Sequence, residues 1–399
     1  MKKERQGRFF FILQPSSFIL CFLLTGTFGS AALPAELDAK VEASLAAAAR
    51  FLAGRQDEDG AWRSKVYGPF KDGPTLTPHV LLALNCLPEG GPEARRSFDR
   101  GVKYLKSLID EQGQLRGPLV MPVYTSAGAC MVVPQEAQRA WVDQLRAHQL
   151  TAALGWDESD SSFGGWGYSI SPPHKPNGTA NLSATLYGVT ALRNAGVPLD
   201  DAAYAQILTF VSRCQNFPHD PANRDARFDD GGFFFTPHDA AKNKAGVAGT
   251  DREGRERYHS YGSMTADGVR TLILCGAKHE DPRIVAARQW LEQNFSATEN
   301  PGTFAPDREM IRRSTYFYYC WSVAHALREL NLTDLDTRRG KVHWPEALAT
   351  ELLARQRPDG SWSNDFTDTK EDDPLIATPH AAIALYICRR VNLDGQNGK

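Results

Sequence analysis

Two histidines and one cysteine are the residues of this sequence best suited to bind a metal ion. His79 and His380 each follow Thr-Pro, and Cys320 lies in an aromatic run between them. Zinc takes cysteine and histidine ligands in tetrahedral sets, so these three side chains are candidates for a zinc site. The alternative is that each histidine lies in the first turn of a helix, neutral and bonded locally, because the helix dipole disfavours a cation there. No other cofactor is predicted.

Aromatic and acidic residues suggest two further chemistries. The faces of the aromatic run Tyr316–Tyr319 could stabilise a carbocation by cation–π contact, or they could be ordinary core residues. The pairs Asp229–Asp230 and Asp372–Asp373 could serve a glycosidase, which needs two carboxyl groups beside a cleft. Aspartates beside glycine also commonly shape turns. Both interpretations stay open for each group.

A repeated signature indicates the elements that must position these residues. Residues 56–62 read Gln-Asp-Glu-Asp-Gly-Ala-Trp, residues 356–362 read Gln-Arg-Pro-Asp-Gly-Ser-Trp, and each copy is followed by Thr-Pro-His. Weaker copies lie between them, and such recurrence is typical of a repeat architecture. The glycine allows a tight turn, the tryptophan can pack on a neighbouring helix, and the glutamine can bond free backbone groups. We therefore predict structural roles for Gln56, Gly60, Trp62, Gly164, Trp166, Gln356, Gly360 and Trp362.

Each unit reads as two helices joined by the Gly-x-aromatic turn. The first helices carry apolar residues at helical period, such as Leu45, Ala48 and Leu52. Thr77 and Thr378 should begin second helices, because threonine caps a helix and the following proline fits its first turn. Six such hairpins predict an all-α fold, a closed (α/α)6 ring that forms one domain over residues 32–399. The residues expected to line its central cavity are His79, Tyr124, Asn181, Tyr261, Ser263, Tyr316, Cys320 and His380.

The first 31 residues form a separate segment. Residues 1–8 are basic, residues 9–28 are mostly apolar, and residues 29–32 are small. This order is typical of a secretory signal peptide, so we predict an exported protein, periplasmic or extracellular. The alternative is an uncleaved segment that anchors the protein to a membrane, since the apolar run is nearly long enough to span one.

Composition is that of an ordinary globular protein. Of the 399 residues, 42% are hydrophobic and 23% are charged. Removing residues 1–31 takes away four basic residues and one acidic residue, which leaves 41 basic and 46 acidic residues and a net charge of −5. That balance provides no basic footprint for nucleic acid. Six cysteines remain after this removal without a Cys-x-x-Cys pair, and we interpret them as small buried thiols.

The end units resemble a known repeat. Their glutamine, acidic turn and Gly-x-Trp are similar to the prenyltransferase and squalene oxidase repeats of squalene and oxidosqualene cyclases. The ring resembles the α/α toroid that terpenoid cyclases share with protein prenyltransferase β subunits, and the resemblance covers nearly all of residues 32–399. It implies a hydrophobic central cavity for an isoprenoid or lipid. The catalytic Asp-x-Asp-Asp run of hopene-type cyclases is absent, and residues 157–160, Asp-Glu-Ser-Asp, come nearest to it.

The resemblance also bears on the metal. Prenyltransferase β subunits bind zinc through Asp-x-Cys and a later histidine, and here Tyr318 stands in the aspartate position before Cys320. The resemblance therefore predicts an altered enzyme or a binding protein with a hydrophobic small-molecule partner. Two alternatives remain: a periplasmic polysaccharide lyase or glycoside hydrolase on a similar toroid, and a scaffold without a ligand.

Overall fold

The protein is mostly helical. The computed structural model describes residues 33–87, 90–218 and 224–394, and the predicted signal peptide lies outside them. The α-helices, in chain order, are α1 (Ala35–Ala53), α2 (Thr77–Cys86), α3 (Gly91–Ser107), α4 (Pro122–Val132), α5 (Gln138–His148), α6 (Leu182–Asn194), α7 (Ala202–Arg213), α8 (Gly262–Leu274), α9 (Pro282–Asn294), α10 (Glu309–Ser314), α11 (Tyr316–Glu329), α12 (Trp344–Arg355) and α13 (Pro374–Asp394).

Two short antiparallel hairpins correct the all-α prediction. Each has a glycine with positive φ at or beside its turn, Gly254 in the first hairpin and Gly340 at the start of the second strand of the other. The strands are β1 (Val247–Thr250) paired with β2 (Glu256–Tyr258), and β3 (Asp334–Thr337) paired with β4 (Gly340–His343).

Six helices contact one another in a closed cycle within the described residues. The cycle runs α2, α4, α6, α8, α11, α13 and back to α2, and we call these the inner helices. Helices α6 and α8 are buried on nearly every side, as expected for helices enclosed by others. The outer helices α1, α3, α5, α7, α9 and α12 each pack on one or two inner helices. Helix α5 shows their single buried stripe, formed by Ala140, Trp141, Leu145 and His148.

The Gly-x-aromatic turn joins each pair of helices to the next outer helix. The Gln56 side-chain amide donates to the carbonyls of Gly60 and of Ser97 in α3, both at 2.8 Å. The Trp62 indole N–H donates to the Leu52 carbonyl at the end of α1, at 2.7 Å. The Trp62 backbone N–H donates to the hydroxyl of Thr77, at 3.0 Å, which fixes the start of α2. We call this arrangement the repeat joint.

The glutamine bond of the repeat joint recurs at three other places. Gln149, Gln215 and Gln356 each donate to the carbonyl of the glycine in their own turn, at 2.9–3.0 Å. Gln215 also reaches the Arg283 carbonyl in α9, and Gln356 reaches the Ser44 carbonyl in α1. The last joint therefore connects the end of the chain to its beginning.

Contacts at this closing joint include charged side chains. The Arg389 guanidinium in α13 contacts Asp38 and Glu42 in α1, both at 2.9 Å.

Within the described residues the six cysteines are free thiols, and five of them are buried. In the same residues no helix is both long enough and apolar enough to cross a membrane.

Candidate functional site

Aromatic rings from the inner helices contact one another across the centre of the cycle. Successive ring centroids lie 4.4–5.7 Å apart, which is the range of favourable aromatic pairs. We call this row the aromatic chain. It runs Tyr168, Tyr124, Tyr187, Trp321, His380 and His79.

Helical periodicity explains why these rings face the same space. In α11, Tyr318, Trp321 and His325 are spaced by three and four residues, so they share one face of the helix. The centroids of the Tyr318 and His325 rings lie 5.4 and 5.5 Å, respectively, from the centroid of the Trp321 ring. In α6, Ser183 and Tyr187 share a face in the same way. The sequence thus places several rings at one central location from helices far apart in the chain.

Three phenol rings at the aromatic chain are partly exposed although protein surrounds them. Tyr168 exposes 45% of its surface, and Tyr124 and Tyr318 are also partly exposed. Yet desolvation by burial raises the pKa of all three phenols, most strongly for Tyr124 and Tyr318. A phenol on the outer surface would keep its ordinary pKa, because water would surround it. The exposed parts of these rings therefore face into a recess.

A buried carboxyl group, Asp267 in α8, lies at the wall of this recess. The Tyr318 hydroxyl donates to it at 2.7 Å, and the Ser322 hydroxyl donates to its other oxygen. Burial raises the pKa of Asp267 to about 6, although Arg270 and the two hydroxyl donors act in the opposite direction. Such a group can hold a proton or release it near neutral pH.

Hydroxyl groups connect this carboxyl to the aromatic chain. Because Tyr318 donates to Asp267, its oxygen accepts from the Ser183 hydroxyl, at 2.8 Å. Ser183 in turn accepts from Tyr124, at 3.2 Å. The row Tyr124, Ser183, Tyr318 and Asp267 is thus a hydrogen-bonded path from the recess to the carboxyl.

A second buried carboxyl group, Glu371, lies under the start of α11. It accepts from the backbone N–H groups of Phe317 at 3.0 Å and Tyr318 at 2.7 Å. Burial raises its pKa to about 7 in spite of these two donors. The Lys244 ammonium interacts electrostatically with both Glu371 and Asp267. Burial lowers the pKa of this ammonium. The charged groups around the recess therefore include Lys244, Arg270 beside Asp267, and two carboxyl groups that can be neutral.

The structure brings three of the eight predicted cavity residues together. His79, Tyr124 and His380 belong to the aromatic chain. Asn181 caps α6 by accepting from the Ala184 N–H, and Ser263 bonds to Asn300. These side chains complete helix starts, because polar groups at the first turn are drawn to free backbone donors.

The other three predicted cavity residues also lie outside the aromatic chain. Tyr261 is fully buried with its ring on Phe304. Tyr316 donates its hydroxyl to the Ala297 carbonyl at 2.6 Å, and the Arg355 guanidinium lies 3.9 Å from its ring. Cys320 is one helical turn from Tyr316, so both are on the face of α11 opposite Tyr318.

The predicted zinc set is not assembled. His79 and His380 are adjacent, with ring centroids 4.4 Å apart, but Cys320 lies on the other face of α11. Among the described residues no group of three His, Cys, Asp or Glu side chains is arranged to hold a metal ion. His79 instead bonds the Ile376 carbonyl through Nε2, at 3.0 Å.

The two acidic pairs suggested for glycoside chemistry are engaged in local structure. Asp229 pairs with Arg257 at 2.6 Å, and Asp230 accepts from Ser260 at 2.7 Å. Asp372 accepts from the Tyr67 hydroxyl at 2.6 Å, and Asp373 accepts from the Leu375 N–H at the start of α13.

A cleft of about 840 Å³ lies next to Asp229 and Asp230, away from the aromatic chain. It also includes Trp290, whose indole N–H is already bonded to Asp230 at 3.1 Å. Because the carboxyl and indole groups of this cleft bond one another, the central recess is the better candidate for a functional site.

Sequence reasoning missed several residues of the recess. Asp267, Trp321 and Tyr187 carry no motif, and Glu371 was noted only as a loop residue. Their signal was spacing: Ser183 with Tyr187, and Tyr318 with Trp321 and Ser322, fit one helix face. A polar or aromatic stripe on a helix that is otherwise apolar all round would have indicated them.

Comparison with solved structures shows a shared fold at low sequence identity. A variant of the type II terpene cyclase MstE from Scytonema, in complex with the product merosterolic acid A, is 14% identical, with a TM-score of 0.51 over 89% of this chain and 98% of that one. Cellobiose 2-epimerase from Spirochaeta thermophila is 12% identical, with a TM-score of 0.52 over 90% and 98%. A protein from Actinoplanes is 14% identical, with a TM-score of 0.50 over 88% and 99%.

These likenesses define the fold class. The terpene cyclase and the epimerase are both α/α toroids, which confirms that this chain resembles that fold. No family model matches the sequence. No curated protein matches it significantly. The two named enzymes act on different kinds of molecule, so the fold by itself leaves the choice of ligand to the site.

Proposed function

We propose that this protein is a toroid of six helical hairpins that binds an isoprenoid- or lipid-like molecule in its central recess. The observation that carries the proposal is the aromatic chain, an unbroken row of ring contacts from Tyr168 to His79. A row of rings suits a chain-like apolar ligand, and its exposed parts at Tyr168, Tyr124 and His79 give that ligand a surface to contact. The solved terpene cyclase structure with a bound terpenoid product supports the same proposal by analogy of fold.

Asp267 extends the proposal from binding to chemistry. Its carboxyl group can carry a proton near neutral pH, and the aromatic faces beside it could stabilise a cation formed when that proton is donated. Type II chemistry in this protein would therefore use Asp267 in place of the missing Asp-x-Asp-Asp run. The proposal covers a binding protein as well as an enzyme, because both need the same recess.

Ligand extraction tests the binding proposal directly. The protein would be expressed from its complete coding sequence in its own host, purified and extracted with organic solvent, and the extract analysed by mass spectrometry. We expect an isoprenoid or lipid in stoichiometric amount. A Trp321→Ala variant removes the ring at the middle of the aromatic chain and should lose most of that ligand, whereas Trp290→Phe, beside the outer cleft, should keep it. An extract with no ligand from the wild type would contradict the proposal.

A glycan-directed enzyme is the second candidate. It is favoured by the hydroxyl row of Tyr124, Ser183 and Tyr318, which could bond sugar hydroxyls, and by the fold shared with cellobiose 2-epimerase. Asp267 and Glu371 replace the loop aspartates as the carboxyl groups such an enzyme would use. Incubation with a panel of glycans, read by reducing-end release, unsaturated product or epimer formation, tests it, and silence across the panel would count against it.

We also propose that the protein is exported. The basic residues 1–8 and the apolar residues 9–28 support this, since they have the order of a secretory signal. N-terminal sequencing of the protein from its host would show whether the chain begins near residue 32. An intact residue 1 with membrane association would support the anchored alternative instead.

A further inference from the structure

His380 is the most unusual polar residue of the recess. Its side chain is nearly fully buried, with 6% of the residue exposed, and neither ring nitrogen has a hydrogen-bond partner in the protein. Buried polar groups are normally bonded, because leaving one unbonded forfeits its hydration without compensation. An imidazole with both ring nitrogens unbonded therefore points to a partner from outside the chain.

The surroundings of His380 show where that partner would lie. Its ring is 4.4 Å from His79, 5.4 Å from Tyr318 and 5.5 Å from Trp321, measured between centroids. His79 and Tyr318 are partly exposed, so His380 lies beside the central recess. The Tyr318 hydroxyl is already committed to Asp267 and Ser183, whereas both ring nitrogens of His380 have free capacity.

The protonation states of the two histidines determine which ligand group they can bind. Burial lowers the pKa of His79 to about 4 and that of His380 well below its ordinary value, so both rings are neutral at pH 7. His79 donates from Nε2 to the Ile376 carbonyl, so its Nδ1 is an acceptor. Neutral His380 has one N–H donor and one acceptor. The pair thus offers both donor and acceptor capacity without positive charge.

A hydroxyl group matches this pair better than an anion does. A hydroxyl both donates and accepts, whereas a carboxylate or phosphate only accepts and needs a cation to offset its buried charge. We propose that His380 and His79 form the polar end of the recess and bind the hydroxyl group of an isoprenoid alcohol. This inference rests on the proposed function and makes the ligand an alcohol with one hydroxylated end, its apolar chain lying along Trp321, Tyr187 and Tyr124.

Paired probes of nearly equal size test the inference. Farnesol and the hydrocarbon farnesene differ at the hydroxyl group, and their dissociation constants would be measured by equilibrium dialysis with the wild-type protein. We expect about tenfold tighter binding of farnesol, the effect of satisfying one buried polar group. This comparison needs no substitution, so it does not depend on whether a variant folds.

Substitutions then locate the effect. His380→Phe should remove the preference for farnesol and keep the affinity for farnesene, because it fills the same space without polar nitrogens. His380→Gln should keep part of the preference, and the exposed-site control His174→Gln should keep all of it. A preference unchanged in His380→Phe would assign the hydroxyl to another group and overturn the inference.

The outcomes separate this inference from the function it rests on. If the wild type binds both probes equally well, the recess takes isoprenoids but the histidine subsite is wrong. If it binds neither probe, and the host-purified protein also yields no isoprenoid or lipid, the proposed function fails and the subsite fails with it.

Discussion

Glu371 shows how one residue connects the stability of this protein to pH. Its carboxyl group lies under the start of α11 and accepts from two backbone N–H groups. Helix starts favour negative charge, yet burial dominates and raises the pKa of this group to about 7. The folded protein therefore holds a proton here at pH values where the unfolded chain has lost it.

We predict that Glu371→Gln flattens the pH dependence of stability between pH 6.5 and 8. The folded pKa lies above the unfolded value near 4.5, so this contribution is fully present at low pH and is lost as pH rises through about 7. Across that window the wild type should lose about 1 kcal/mol of unfolding free energy that the variant does not lose. His79 contributes equally to the wild type and to the variant, so it cancels in this comparison.

Urea unfolding at several pH values measures this effect. Glu346→Gln, in the first turn of α12 at the surface of the outer layer, is a matched control. Parallel pH profiles for the wild type and Glu371→Gln would show that the carboxyl is already ionised in the folded protein.

Asp267 gives a second prediction at this scale. If its carboxyl supplies a proton to a bound isoprenoid, Asp267→Asn should abolish product formation while binding of farnesol stays within a few fold of wild type, because the amide keeps a similar shape. The readouts are gas chromatography of the products and equilibrium dialysis of the ligand. Loss of binding and product together would assign Asp267 to positioning the recess and not to proton transfer.

At the scale of the element, the repeat joint decides how closely helices can approach. Gly164 has a φ of +87°, and a β-carbon there would lie 1.9 Å from the Gln206 carbonyl oxygen in α7. Glycine is therefore required at position 164 for two reasons: its backbone conformation and its close contact with the next outer helix. Gly60 and Gly360 face α3 and α1 in the same manner, at 2.7 and 2.6 Å.

We predict that Gly164→Ala destabilises the protein more than Gly113→Ala. Both glycines have positive φ, so both substitutions cost about 1–2 kcal/mol in backbone strain. At Gly113 no atom lies within 4 Å of the added β-carbon, so backbone strain is the whole cost of that substitution. At Gly164 the added β-carbon would clash with α7, so α7 must also move away. Urea unfolding of the two variants gives the difference, which should exceed about 1 kcal/mol. Equal costs would mean that the outer helix adjusts freely.

The sequence predicted these elements better than it predicted the site. Gln56, Gly60 and Trp62 repeat as a pattern because the joint needs a donor, a positive φ and a large ring at fixed spacing. The recess has no such local requirement. Asp267, Trp321 and His380 come from three helices, and their roles depend on which face of each helix turns inward. The prediction placed Cys320 and Tyr316 in the cavity because both lie near the start of α11. In the structure they lie on the face of α11 opposite Tyr318.

At the scale of the whole molecule, the closing joint has the geometry of an internal one. The amide of Gln356 bonds Gly360 and Ser44 at 3.0 Å each, as that of Gln56 bonds Gly60 and Ser97 at 2.8 Å each. In an open array the last unit would have no next outer helix to bond. The equivalence of the two joints follows from the cycle of helix contacts.

We predict that Gln356→Ala and Gln56→Ala destabilise the protein by similar amounts, about 1–2 kcal/mol each, since each removes a partly buried donor from two backbone carbonyls. Thermal and urea unfolding of the two variants provide the comparison. Gln114→Ala, in the exposed Gly113 turn, is a control that should cost less than about 0.5 kcal/mol. A cost at Gln356 no larger than that of the control would show that the closing joint opens in solution.

The contact between His79 and His380 carries a consequence for timing. These residues stand near opposite ends of the described chain, in α2 and α13, yet their rings touch. During synthesis α13 leaves the ribosome after every other described helix, so the polar end of the recess cannot exist until α13 has emerged. A ligand held at this end would be acquired only after that point. If the protein is exported, the supply of that ligand outside the cytoplasm would limit how much of the protein is loaded.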